Sequence, residues 1–265
     1  MKNNKSLGQH WLKNRAILDE IAALTANDSA WLESDNTEAE PKKLAKLAVE
    51  IGPGLGTLTS SLLKKFDKVI AVEYDAKLAQ NLPDSFPGKN LEVVNADILQ
   101  YDFATIAEPY VVAGNIPYYI TSPIIEKLIT LDNEPERIVL LVQKEVAERI
   151  AAERETMLSL MVKNRANVAL GPVVGKQEFT PPPKVDSQVI ILVPHAPVVA
   201  PEVFTLIRRG FSAPRKKLIH NIAGLKPKDE LVQIFAKCGI SVDARPGDIH
   251  LPEWQKLYDL MEQSK

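Results

Sequence analysis

Residues 47–56 read Leu47-Ala48-Val49-Glu50-Ile51-Gly52-Pro53-Gly54-Leu55-Gly56. The first five form an apolar run of strand length, bounded by glycines that turn the chain into a helix carrying Leu58, Leu62 and Leu63. Glycine has no side chain, so this backbone can turn tightly and approach a ligand, with the helix N–H groups facing it. Working outward, Lys68 to Glu73 reads as a second strand, Leu91 to Asn95 as a third, Tyr110 to Asn115 as a fourth and Ile138 to Val142 as a fifth. Ile17, Leu18, Ile21 and Leu24 have helical spacing. Such alternation predicts an α/β, Rossmann-like domain with a parallel-majority sheet and helices on both faces.

The pattern then changes. Val168 to Val174 and Val189 to Val193 are β-rich runs joined by the turn Thr180-Pro181-Pro182-Pro183, which predicts a terminal β-hairpin on the sheet edge. A Pro-rich segment, Pro194 to Pro201, marks a boundary. Beyond it helices are expected over Phe204 to Phe211, Lys216 to Ala223, Lys228 to Cys238 and Trp254 to Met261. The chain is therefore divided into a domain at 1–196 and a small all-helical domain at 197–265.

Open α/β sheets bind ligands at the carboxyl ends of their strands. At one such end stands Asn115-Ile116-Pro117-Tyr118-Tyr119, followed by Ser122-Pro123, read as a helix cap and first-turn proline. A planar amine could donate its two N–H hydrogens to the Asn115 amide oxygen and the Pro117 carbonyl while its ring stacks on Tyr118. Adenine fits that description.

Glu73 ends the next strand 21 residues after Gly52, where an acid can accept hydrogen bonds from ribose hydroxyls. Asp97 follows the third strand, where a carboxylate can take an adenine amine or merely cap a helix. The G-x-G-x-G spacing with Pro53 departs from the dinucleotide pattern, and Glu50 could point a carboxylate at a cation. An acid-rich pocket suits a sulfonium-carrying cofactor better than a pyrophosphate.

Composition narrows the class. Of 265 residues, 45% are hydrophobic and 25% charged, as in an ordinary globular protein. No apolar run approaches the ~20 residues of a membrane span, and the amino terminus lacks a signal-peptide core. Cys238 is the single cysteine, which excludes an intrachain disulfide and suits a reducing cytoplasm. His10, His195, His220 and His250 are scattered without metal-ligand spacing, so no metal is expected.

The net charge of −2 hides its distribution. Residues 28–40 carry five acids and no base, whereas residues 205–228 carry Arg208, Arg209, Arg215, Lys216, Lys217, Lys226 and Lys228 with no acid. Lys2, Lys5, Lys13 and Arg15 add a second basic patch. Such patches suit contact with a phosphate backbone, and the acidic stretch reads as a mobile loop over 27–41.

Together these residues resemble the KsgA/RsmA family of ribosomal RNA adenine N6-dimethyltransferases. Leu7-Gly8-Gln9-His10-Trp11-Leu12 is similar to the family's opening LGQNFL, with His10 and Trp11 in place of Asn and Phe. Glu50 to Gly54 matches its glycine loop, Val72 to Asp75 its strand end, Asn115 to Tyr118 its NLPY, and Gln143 to Val146 its QKEV. Phe179 to Ser187 matches FTPPPKVDS, the most specific string, and Phe211-Ser212 with Arg215-Lys216-Lys217 resembles a basic FSxRRK helix.

The resemblance implies a class I methyltransferase domain that binds S-adenosylmethionine through His10, Leu12, Gly52, Gly54, Glu73, Asp97 and Asn115. It implies Asn115, Pro117, Tyr118 and Phe179 at the reaction centre, with Phe179 as a second aromatic plate on the target base. The implied substrate is small-subunit (16S) rRNA in the immature 30S subunit, at two adjacent adenosines near the 3′ end, each methylated twice. Arg208, Arg209, Arg215, Lys216 and Lys217 would contact the RNA, and the protein would act as a monomer. Two alternatives stay open: an antibiotic-resistance type enzyme acting on large-subunit rRNA, and a non-catalytic RNA-binding assembly factor. A nicotinamide dehydrogenase is disfavoured by the glycine spacing and the lack of a Tyr-x-x-x-Lys pair.

Overall fold

The computed structural model describes residues 9–28 and 45–263. Leu7 and Gly8 of the opening motif, Lys2 and Lys5 of the basic patch, and residues 29–44 of the acidic stretch lie outside the described residues. The chain divides into two compact units, one taking Met1–Glu148 and Asn167–Pro194, the other Arg149–Ala166 and His195–Lys265.

In the first unit the short strand β1 (Trp11–Leu12) leads into helix α1 (Arg15–Thr25). Asn14 caps α1 by accepting from the N–H groups of Ala16 and Ile17. Leu18, Ile21, Ala22 and Leu24 form its buried face. Strand β2 (Leu47–Ile51) is buried at every position, as expected of a strand covered on both faces. Helix α2 (Thr59–Lys65), strand β3 (Lys68–Glu73) and helix α3 (Ala76–Asn81), capped by Asp75, continue the alternation. It runs on through β4 (Leu91–Asn95), β5 (Tyr110–Asn115), helix α4 (Thr121–Leu128) and β6 (Ile138–Gln143), from which helix α5 (Lys144–Ala151) follows.

Strands β7 (Ala166–Val174) and β9 (Ser187–Pro194) complete a seven-stranded sheet in the order β4-β3-β2-β5-β6-β9-β7, counting the two-residue β8 (Phe179–Thr180) in chain order. The pairs β2–β3, β3–β4, β2–β5 and β5–β6 are parallel, and β6–β9 is antiparallel. The hairpin is thus spliced in, with its second strand next to β6 and its first at the sheet edge. Strand order reverses between β2 and β5, where Ile51 lies opposite Gly114. That switch point sets the glycine loop beside Asn115, the crevice where open sheets bind ligands.

Ser122 does not cap α4 as expected. The helix begins at Thr121, Ile120 occupies the cap without a side-chain bond, and Pro123 is its third residue. The 3₁₀ turn Tyr118–Ile120 already supplies the chain reversal that a cap would organise.

The second unit holds helices α6 (Met157–Arg165), α7 (Pro201–Gly210), α8 (Leu218–Asn221), α9 (Lys228–Cys238) and α10 (Leu251–Gln263). The sequence boundary at 196/197 assigned residues 149–166 to the first domain. They group instead with the helical unit, because Leu160 packs in a core with Val203, Ile207, Phe235, Trp254 and Leu257. Thr156 and Ser159 start α6 with a reciprocal capping box. Gly239, at φ +78°, ends α9. Residues 211–217 are not the expected basic helix. They form turns around Pro214, pinned by Asn221 Nδ2, which donates to the carbonyls of Gly210 and Ala213.

Candidate functional site

A cavity of about 310 Å³ opens at the switch point, lined by the ends of β2, β3 and β5, the segment after β4, and residues 9–11. It gathers His10, Gly52, Gly54, Glu73, Asp97, Asn115, Pro117 and Tyr118 from five separated stretches of sequence. Its walls carry three carboxylates, Glu50, Glu73 and Asp97, and no lysine or arginine.

Gly52 and Gly54 adopt φ +64° and +56°, which only glycine holds without strain. A Cβ on Gly54 would also press on the Trp11 indole at 3.1 Å. The loop is fastened to β3 because Glu73 Oε2 accepts from Gly54 N–H at 3.0 Å, while Oε1 accepts from Asp75 N–H at 2.8 Å. Each carboxylate oxygen has a second lone pair, so Glu73 can still take two ligand hydroxyls. Burial raises its carboxyl above the usual range, and the N–H groups of Asp75 and Gly54 pull the other way.

Glu50 is a different kind of acid. It is 1% exposed, and its Oε2 has no hydrogen-bond partner, as is also true of the hydroxyl of Thr59. Burial pushes its carboxyl up to about 8, with the nearby Thr59 opposing and the charge of Glu73 adding to the rise. A cation entering the cavity would find in it a carboxyl ready to ionise. Asp97 spends one oxygen on the N–H of Leu99 at 2.9 Å, a turn-capping bond, and still lines the cavity.

Asn115 is held by its amide nitrogen, which donates to the His10 carbonyl at 2.9 Å. A carbonyl can only accept, so Nδ2 is fixed toward His10 and the Oδ1 lone pairs remain for a donor. Pro117 accepts from Ile120 N–H at 3.2 Å and keeps a second lone pair. The Tyr118 hydroxyl shares a 2.7 Å bond with Ser187, and burial raises its ionisation range. His10 stacks on the Tyr118 ring at 5.9 Å and 23°, and its Nδ1–H donates to the Pro181 carbonyl at 2.8 Å.

Leu12 and Phe179 do not join the cavity wall. Strand β1 pairs antiparallel with β8, placing Leu12 opposite Phe179, and both side chains are buried in the core of the sheet unit. The expected aromatic plate at Phe179 is therefore a core residue here, since the pairing turns an apolar ring inward where burial stabilises it. Trp11, Tyr74 and Tyr119 also line the cavity; all three stand in the motifs quoted from the sequence, but none was assigned a role in the site. Tyr74 and Tyr119 are 64% and 63% exposed, and their signal was an aromatic standing immediately after a functional strand or turn.

The basic residues belong to the helical unit. Arg208 and Arg209 are exposed in the last turn of α7, and Arg209 Nε donates to the Asn221 carbonyl at 3.2 Å. Arg215, Lys216 and Lys217 are exposed on the turns that follow, with Lys217 paired to Asp243. Among the described residues no cluster of three or more potential metal ligands occurs, and no helix is long and apolar enough to cross a membrane.

Comparison with known proteins sharpens these observations. The family model described as ribosomal RNA adenine dimethylase matches residues 1–263. A ribosomal RNA small subunit methyltransferase A from Dehalococcoides mccartyi (strain CBDB1) is 35% identical over 97% of this chain and 88% of its own length. One of the same name from Picosynechococcus sp. (strain ATCC 27264 / PCC 7002 / PR-6) is 37% identical over 98% and 97%. Among solved structures, a dimethyladenosine transferase from Plasmodium falciparum superposes with a TM-score of 0.77 at 27% identity, covering 96% of this chain and 98% of the other. The 23S rRNA methyltransferase ErmE, at TM-score 0.73 and 24% identity over 96% of this chain and 100% of its own, shares the fold.

Proposed function

This chain belongs to the ribosomal RNA adenine dimethylase family, and on that premise we propose that it transfers methyl groups from S-adenosylmethionine to the N6 amines of two adjacent adenosines near the 3′ end of 16S rRNA. The donor set fits that cofactor. Three acids and no base suit a cationic sulfonium and would repel a pyrophosphate, and the fastened glycine loop leaves room for close approach. Glu73 would take the ribose hydroxyls, Asp97 the adenine amine, and residues 9–11 with Gly52 and Gly54 would close over the ligand. When bound, S-adenosylmethionine supplies an electrophilic methyl carbon.

The observation that carries the reading is the Asn115 amide on the cavity wall, pinned through Nδ2 so that Oδ1 is left to accept from a ligand. An adenine N6 lone pair is delocalised into the ring, which makes the amine a poor nucleophile. Hydrogen bonds from its N–H groups to Asn115 Oδ1 and the Pro117 carbonyl favour a pyramidal nitrogen with its lone pair aimed at the methyl group. Positioning and electrostatics then do what a strong base would otherwise do. Tyr118 offers its ring to the flipped-out base, a stack worth about 1–3 kcal/mol. The immature 30S subunit is the proposed substrate particle, met by a monomer in the cytoplasm, and the basic residues from Arg208 to Lys217 supply phosphate contacts.

Two measurements test this. Incubation with tritiated S-adenosylmethionine should label immature small subunits, with dimethyladenosine recovered on digestion, and leave protein-free large-subunit rRNA unlabelled; labelling only of the latter, or of neither, sinks the proposal. Glu73→Gln should weaken S-adenosylmethionine binding at least about tenfold in calorimetry, because an amide NH₂ would face a backbone N–H that the carboxylate now accepts. Unaltered affinity would remove Glu73 from the cofactor site.

A further inference from the structure

We propose that Lys127, which is not part of the cavity wall, is a positioning residue for cofactor selectivity: its ammonium ties down the turn that carries Asp97 and so sets the preference for an adenine base. That role rests on the contact proposed above between Asp97 and the adenine amine, and it names the group that keeps the contact in register.

Beyond β4 the chain turns at residues 97–101. Asp97 Oδ1 accepts from Leu99 N–H at 2.9 Å, and the Asp97 carbonyl accepts from the N–H groups of Gln100 and Tyr101, both at 2.9 Å. These bonds fix the shape of the turn but not its place against the rest of the sheet unit. Lys127 supplies the second constraint. Its Nζ donates to the Leu99 carbonyl at 2.9 Å and to the Tyr101 carbonyl at 2.7 Å. It also lies 5.6 Å from the centre of the Phe103 ring, a cation–π distance, and Phe103 is buried.

The root of the lysine is itself fixed. Lys127 sits in the last turn of α4, where Ile124, Ile125 and Leu128 are buried. That helix follows directly on the turn Tyr118–Ile120, in which Ile120 N–H donates to the Pro117 carbonyl. One short helix therefore braces the turn for the cofactor base at one end and continues the segment proposed to hold the target amine at the other. Burial lowers the ionisation range of Lys127, and the charges of Asp97 and Asp102 oppose that shift. The ammonium spends these two hydrogen bonds on carbonyls and leaves the second Asp97 oxygen for a ligand. Hydrogen bonds weaken steeply with misalignment, so a turn free to shift keeps its carboxylate and loses its selectivity.

The test titrates the full-length protein calorimetrically with S-adenosylhomocysteine and with its analogue carrying purine in place of adenine, which lacks only the exocyclic amine. Wild type should favour the adenine compound by about 10- to 100-fold, the effect of one hydrogen bond to a charged acceptor. Lys127→Met keeps an apolar stem and loses the donors, and its preference should fall below about threefold as the carboxylate drifts out of line. Lys127→Gln, whose side chain is shorter, is the second variant and should lose the preference likewise. A lysine that only stabilised the fold would on removal weaken both ligands equally, so a preserved ratio in these variants overturns its role. Asp97→Ala should abolish the ratio by itself, and adding Lys127→Met should lower it no further. If Asp97→Ala abolishes the ratio while both Lys127 variants keep it, Lys127 alone is excluded. A wild type that binds both compounds alike, or an Asp97→Ala variant that still discriminates, removes Asp97 from the adenine contact and the role of Lys127 with it.

Discussion

Asn115→Ala is expected to slow methyl transfer by about 100- to 1000-fold in single-turnover assays, the usual cost of deleting one positioned hydrogen-bonding group at a reacting centre. Its Oδ1 is the acceptor proposed for the adenine amine, and no neighbouring side chain in the cavity wall duplicates that geometry. The effect should fall mainly on the chemical step. Cofactor affinity should change less, since Glu73, Asp97 and the glycine loop remain, although the strut from Nδ2 to the His10 carbonyl is lost with the amide. Asn115→Asp separates the two roles: it keeps an acceptor and turns an anionic oxygen against the His10 carbonyl, so its rate should also collapse while steric volume is preserved. Turnover within threefold of wild type in the alanine variant would exclude Asn115 from the mechanism.

The second large effect concerns acidity rather than rate. Glu50 titrates at about 8 in the folded chain against a reference of 4.5, so between those values the native state holds a proton that the unfolded chain has released. Stability contributed by this group is complete below 4.5, is lost progressively as pH rises toward 8, and changes no further above it. The full span corresponds to roughly 5 kcal/mol, an order-of-magnitude figure for a group with no solvent access. Glu50→Gln cannot ionise. The ligand-free variant should therefore match wild type near pH 5 and exceed it by several kcal/mol near pH 8.5, as read from urea denaturation midpoints at constant slope. Parallel pH profiles for the two proteins would show that Glu50 carries no such penalty. The same residue gives the cavity a use for a cation: a positive ligand would restore the ionised form and release a proton.

Much of this molecule was legible before its structure. Leu47–Ile51, Lys68–Glu73, Leu91–Asn95 and Tyr110–Asn115 were delimited because buried parallel strands are short apolar runs punctuated by Gly, Asp or Asn. The cavity residues at the ends of those strands followed, since topology alone decides which ends converge. What stayed hidden depends on pairing between remote segments. A two-residue strand such as Trp11–Leu12 has no periodicity to detect, so its partnership with Phe179–Thr180, and the burial of Phe179 that it causes, left no local trace. Residues 157–165 show almost no one-sided apolar pattern, and only the burial of Leu160 in the core of Phe235 and Trp254 tells which unit they serve.

The amino-terminal arm has one further consequence. Its carbonyl at His10 braces Asn115, its imidazole reaches Pro181, and Lys13 N–H donates to the Glu178 carbonyl. Residues 10–13 thus wait for nearly the last strand of their unit before they can settle. Nascent chains arrested before residue 181 should carry the glycine loop, Glu73 and Asn115 yet retain no methyl donor in a filter-binding assay, a latch that ties cofactor retention to synthesis of the Phe179–Pro181 segment.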